Sequence, residues 1–177
     1  NVFGSKLLLD KAVRWNCQST IFLSSSAIYG ANTTNPILQN DNRGGIKMDE
    51  STYAIAKIAG EEIFKSYSEK YGIKTIVVRL HQIYGMDFIL NNKHSIISKM
   101  IHKYCNNDDL AINNPKKVVS FCEIKDAISA IMLILEKGQD RGTYDVIDRN
   151  SCLSLEELKD IIYEGKSFTR RTWVSEL

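Results

Sequence analysis

Phe22-Leu23-Ser24-Ser25-Ser26-Ala27-Ile28-Tyr29-Gly30, followed after a long polar loop by Tyr53-Ala54-Ile55-Ala56-Lys57, decides how the rest of the chain is read. Residues 20–23 predict a buried strand, which breaks into three hydroxyls and a turn at Gly30. The second piece opens a helix, and the i, i+4 spacing puts Tyr53 and Lys57 on one face. An ammonium within a few Å of a phenol favours the phenolate, so such a tyrosine can give or take a proton near neutral pH. A serine hydroxyl at the strand end can hold the oxygen whose proton moves. Alone, the Tyr–Lys spacing is a weak signal, because a surface lysine beside a half-buried tyrosine produces it equally well.

Outward from this stretch, strands and helices alternate. A helix is expected over residues 2–15, from Val2, Leu7, Leu8, Leu9, Ala12 and Val13, with Asn16 as its stop. Residues 31–51 are rich in Asn, Thr and Asp with Pro36, Gly44 and Gly45, and predict a surface loop that can border a site. The Tyr53 helix continues to Tyr71, with Gly72 placed for a left-handed cap. Its small residues Ala56, Ala59 and Gly60 permit close approach of a neighbouring backbone. Residues 74–79 predict a buried, β-branched strand. Then come a helix over 95–104, short strands at 110–112 and 118–121, a helix over 124–135, a strand over 143–147, and a helix opened by the capping-box pattern Ser154-Leu155-Glu156-Glu157. This alternation predicts an α/β fold with a parallel sheet, whose ligands bind at the carboxyl ends of the strands. The serine triplet and the 80–83 segment both fall at such ends.

Composition narrows the function classes. The 177 residues suit one domain or part of a larger one. A net charge of +2 offers no broad basic field, so no nucleic-acid partner is expected. Cys17, Cys105, Cys122 and Cys152 are scattered without a Cys-x-x-Cys pair, which argues against a zinc site and suits a reducing, cytoplasmic setting. No apolar run approaches a membrane span, so no membrane partner is expected.

Three motifs occur in one order: Ser-Ser-Ser-x-x-Tyr-Gly at 24–30, Tyr-x-x-x-Lys at 53–57, and Arg79-Leu80-His81-Gln82-Ile83-Tyr84-Gly85. With the opening Asn1-Val2-Phe3-Gly4-Ser5, the chain resembles the extended short-chain dehydrogenase/reductases, the nucleotide-sugar epimerase and dehydratase family. The resemblance covers nearly the whole chain and thins after about Tyr163. It implies a partial doubly wound, Rossmann-like sheet with elements of a small substrate domain. Residues 1–85 would be the second half of the NAD(P)-binding domain, and 86–177 would mix substrate-domain elements with a returning strand and helix. It also implies NAD or NADP as cofactor, a nucleotide sugar as substrate, and a homodimer packed through the Tyr53 helix. In that family a tyrosine shuttles the proton of a sugar hydroxyl while a hydride passes to or from the nicotinamide. Tyr53 matches it, and Lys57 matches the lysine that binds the nicotinamide ribose and lowers the phenol pKa. Ser25 matches the catalytic Ser or Thr, and Asn1 the supporting asparagine. Leu23, Ser24, Leu80 and His81 fall where the cofactor is lined, and Ser25, Ser26, Ala27 and Gln82 where substrate is met. Taken by itself, His81 reads more readily as a hydrogen-bonded structural histidine than as a site residue.

The departures matter as much. None of the ten glycines forms the Gly-x-x-Gly-x-x-Gly turn that lets backbone approach a pyrophosphate. The expectation is therefore a carboxyl-side fragment of a longer protein. Gln82 replaces the asparagine of Asn-x-Tyr-Gly, and Val119 stands where many relatives place a diphosphate-binding arginine. Relatives that dehydrate resemble Thr-Asp-Glu at the positions of Ser25, Ser26 and Ala27, and no carboxylate lies there. Epimerisation or simple oxidation/reduction is thus expected over 4,6-dehydration, with a dehydratase and a non-catalytic binding or assembly module as the alternatives.

Overall fold

The computed structural model describes residues 2–29, 51–85, 95–108, 110–148, 151–164 and 173–174. They fall into two compact units: residues 1–81, 129–146 and 174–177, and residues 82–128 and 147–173.

The first unit is built on parallel strands. Helix α1 (Val2–Arg14) leads into β1 (Ser19–Ser25) and a short 3-10 turn (Ser26–Tyr29). Asn16 ends α1 in the left-handed region at φ 51°, which asparagine tolerates better than most residues. Helix α2 (Thr52–Tyr71) then crosses to β2 (Lys74–Leu80). Both ends of α2 are capped, the carboxyl end at the glycine expected there. The Ser51 hydroxyl accepts the Ala54 N–H at 3.2 Å, and Gly72 at φ 67° returns its N–H to the Ser68 carbonyl. Strand β1 pairs in parallel with β2, and β2 with β5 (Thr143–Ile147), in the order β1-β2-β5-β7, where β7 is Trp173–Val174. The core under α1 and α2 is Leu9, Ala12, Phe22, Phe64, Tyr67 and Ile73. Gly60 lies so close to Phe22 that an added Cβ would sit 2.2 Å from the ring, so the small residue serves packing of α2 on its own sheet. Leu7 and Leu8, expected on the apolar face of α1, are 47% and 59% exposed.

The second unit holds β3 (Gln82–Tyr84), β4 (Val118–Glu123) and β6 (Cys152–Ser154), with β3 parallel and β6 antiparallel to β4. Helices α3 (Ile96–Cys105) and α5 (Leu155–Glu164) supply Ile97, Met100, Leu155 and Leu158 to a core shared with Phe121. The capping box forms: the Ser154 N–H donates to Glu157 Oε2 at 2.7 Å, and the Glu157 N–H donates to Ser154 Oγ at 3.1 Å. Residues 110–112, expected as a strand, are not one; Leu110 and Ile112 reach the same core from irregular chain. Helix α4 (Ile124–Lys137) follows β4 directly. The expected loop at 31–51 lies almost wholly outside the described residues. No helix among the described residues is long and apolar enough to cross a membrane.

Candidate active site

Register sets the geometry. Pairing of β1 with β2 puts Ser24 beside Arg79 and Ser25 beside Leu80, so the serines end level with the Leu80-His81 segment. Helix α2 packs on β1, on β2 and on the 3-10 turn. Its Lys57 Nζ donates to the Leu23 carbonyl at 2.6 Å, two residues before the carboxyl end of β1. The same ammonium stands 5.1 Å from the Phe22 ring centroid and 5.5 Å from that of Tyr53. Tyr53 is 48% exposed and Leu23 is 44% exposed, so both stay open to a ligand at the carboxyl end of β1. Ser25 Oγ, at the end of β1, accepts the Ala27 N–H at 3.2 Å, which turns the chain into the 3-10 segment and leaves the Ser25 hydroxyl its own proton to donate. Lys57, Tyr53 and the β1 end are thus gathered in one place. Asn1 lies outside the described residues. Gln82 opens β3 in the second unit, exposed and opposite Phe121, and Val119 pairs with Leu153 there.

Beneath these residues runs a buried polar chain that the sequence reading did not find. Ser24 Oγ donates to Glu61 Oε1 at 2.6 Å. Arg79 grips the same carboxylate twice, through Nε at 3.1 Å and Nη2 at 2.8 Å. Its Nη1 donates to the Tyr29 hydroxyl at 2.9 Å, which donates onward to Asp145 Oδ2 at 2.7 Å. His81 Nε2 lies 3.2 Å from Asp145 Oδ1. All six residues are buried, Glu61 completely. A buried charge is tolerated when a counter-charge and hydrogen bonds surround it, and the forked Arg79–Glu61 pair meets both conditions. Burial, then the Asp145 charge and hydrogen bond, push the Tyr29 phenol well above its ordinary range. Burial works to lower the Arg79 pKa, yet the Glu61 bonds and charge outweigh it and hold the guanidinium above its ordinary value. Tyr29 thus links Arg79 to Asp145 through its hydroxyl, accepting from one and donating to the other. One signal pointed to the pair: an arginine closing an otherwise apolar strand needs an anion nearby. Nothing in the sequence said which anion.

In the second unit, burial and then the charges of Asp126, Asp148 and Glu123 push the Cys122 thiol up to about 12. That holds it as a thiol, without nucleophilic character.

The model of the NAD dependent epimerase/dehydratase family matches residues 1–147. The chain belongs to this family. It is 26% identical over 170 residues to a dTDP-D-glucose 4,6-dehydratase of Dictyostelium discoideum, covering 92% of this chain and 38% of that protein. It is 33% identical over 146 residues to UDP-glucuronate 4-epimerase 6 of Arabidopsis thaliana, covering 78% of this chain and 30% of that one. Among solved structures, the UDP-N-acetylglucosamine 4-epimerase from Methanobrevibacter ruminantium superposes with a TM-score of 0.79 at 26% identity, over 93% of this chain and 52% of the other. The Rossmann-like class that the resemblance implied is the class of these relatives, and the parallel sheet expected from alternating strands and helices belongs to it. The chain spans about half or less of the length of the family members it matches.

Proposed function

We propose that this chain carries the proton-transfer part of an NAD(P)-dependent enzyme that oxidises, reduces or epimerises a nucleotide sugar. The observation that carries the reading is the Lys57 bond to the Leu23 carbonyl at 2.6 Å, with Tyr53 exposed alongside at the carboxyl end of a parallel strand. These residues fit a nicotinamide nucleoside: an open strand end, an exposed aromatic hydroxyl, and a cation held by backbone with donors to spare. The cofactor, when bound, supplies the acceptor and donor of hydride. Tyr53 takes the proton of the sugar hydroxyl being oxidised and gives it back on reduction. Lys57 holds the nicotinamide ribose, and Leu23, Ser24, Leu80 and His81 form the strand-end wall. Ser25 donates its free hydroxyl hydrogen to the sugar oxygen and keeps it aimed at Tyr53.

Relatives named as UDP-sugar epimerases and dTDP-sugar dehydratases support a nucleotide sugar as substrate. Within that class the turn at residues 25–27 supports epimerisation or simple redox. It offers two hydroxyls and a methyl, whereas dehydration needs an acid and a base beyond the tyrosine. Glu61, the carboxylate bonded to this strand end, is already engaged by Ser24 and Arg79. The test is to incubate the full-length protein with hexose nucleotides and follow products by mass. Interconversion of two sugars of equal mass, or a change of two hydrogens, is expected; sustained loss of one water would overturn the epimerase reading. The full-length protein is further proposed to be a homodimer packed through α2, with the exposed Ile55 and Tyr71 of that helix, and Phe3, Leu7 and Leu8 of the α1 helix packed on it, as apolar surface.

A further inference from the structure

We infer that Glu61 is a positioning residue that sets where α2 holds Lys57 and Tyr53 over the strand ends, an inference that rests on the proposed roles of those two side chains. Tyr53, Lys57 and Glu61 follow one another at i, i+4 and i+8, so they run down one flank of α2. Tyr53 and Lys57 are the groups with a proposed chemical role, and Glu61 is locked. Glu61 is fully buried and takes one bond from β1, through Ser24, and two from β2, through Arg79. Ser24 is the neighbour of Leu23, whose carbonyl holds Lys57. The helix is therefore tied to β1 at two successive residues, once by the Glu61 carboxylate and once by the Lys57 ammonium. With three directed bonds on two strands, Glu61 allows α2 neither to slide along β1 nor to roll about its axis. Tyr29 and Asp145 extend the tie to β5, because Arg79 also donates to the Tyr29 hydroxyl, which donates to Asp145. The position of the reacting phenol then depends on a carboxylate two helical turns away that meets neither substrate nor cofactor.

Acetylation of Lys57 by a water-soluble acetyl ester, read by peptide mass spectrometry against Lys70 on the same helix, tests this without turnover. Three variants are compared with the unaltered protein well below their melting temperatures. Ser24→Ala removes one tie while keeping the Glu61 charge, so an electrostatic effect on the amine is separated from release of the helix. It should raise the Lys57 to Lys70 labelling ratio about fivefold, the equivalent of one net hydrogen bond. Glu61→Gln should raise the ratio at least as much. Ser24→Thr restores the hydroxyl and should return it to the starting value. A ratio within twofold of the unaltered protein for Ser24→Ala, despite a lowered melting temperature, would reduce the network to scaffolding and overturn the inference. Should Glu61→Gln fail to fold, the Ala and Thr pair at Ser24 decides alone. Because labelling needs no substrate, loss of the catalytic reading through an active Tyr53→Phe protein would leave this result standing.

Discussion

Tyr53 is the side chain on which the proposed chemistry turns. Replacing it with Phe keeps the ring near Lys57 and removes only the hydroxyl. In the full-length protein, turnover should fall about a hundredfold or more, the usual scale for a lost general acid–base group, with KM little changed. Steady-state kinetics checks this, and near-normal turnover removes Tyr53 from the mechanism. Gly60 is a second single-residue lesson, because its role is an absence. Phe22 fills the space a Cβ would take and packs against Phe64 at a centroid distance of 4.9 Å, so the ring has little room to retreat. Gly60→Ala should cost about 1–3 kcal/mol by overpacking, despite the better helix propensity of alanine. Pairing it with Phe22→Leu should recover part of the loss in a denaturant titration, and strict additivity of the two would contradict the contact.

Between elements, the ties are polar and buried or semi-buried. Arg79 joins β2 to α2, and Arg79→Met should destabilise by about 3–5 kcal/mol because Glu61 is left as a buried charge without its partner. Adding Glu61→Gln to that variant should restore part of the stability, measured as the denaturant midpoint. Asp140 ties the other end of α2 to the start of β2, accepting from the Ser68 hydroxyl at 2.7 Å and from the Thr75 N–H at 2.9 Å. Burial works to raise its pKa, but the bonds from Ser68, Thr75 and Arg141 prevail and hold it below the ordinary carboxylate value. A folded value below the unfolded one means the unfolded chain binds the proton first as pH falls. The stabilisation from Asp140 is thus complete above the ordinary carboxylate pKa and is lost as pH drops through the lower folded value. Asp140→Asn should lower stability near neutral pH and flatten the acid limb of a melting-temperature profile. A parallel displacement of the whole profile would contradict the linkage.

At the scale of the whole molecule, helix α2 carries the proposed proton-transfer residues, but the 177 residues hold no glycine-rich pyrophosphate turn. The 177 residues by themselves are therefore expected to bind NAD and NADP weakly or not at all, since in the proposed roles Lys57 and Tyr53 meet only the nicotinamide end. Isothermal titration of each nucleotide into the chain is the check, and micromolar affinity would contradict it. The same titration on the full-length protein separates a missing cradle from a wrong site.

Local chemistry alone made the elements legible. Gly72 closes α2, Ser154 and Glu157 open α5, and the β-branched run at 74–79 marks β2, because caps and periodicity act within a few residues. The Tyr53–Lys57 spacing was legible for the same reason, whereas the bond from Lys57 to the β1 end spans 34 residues of sequence. Partners far apart in the chain were not. Glu61 reads as one more surface charge in a helix until Arg79 is known to lie across from it, and Tyr29 meets Asp145 over 116 residues of sequence. The exposure of Leu7 and Leu8, and the irregular course of residues 110–112 despite their apolar character, also depend on what packs alongside. Hydrophobicity says that a side chain seeks cover and helical spacing says which way it points. Only the assembled sheet decides what it finds there, because burial and charge pairing are properties of neighbours brought together by folding.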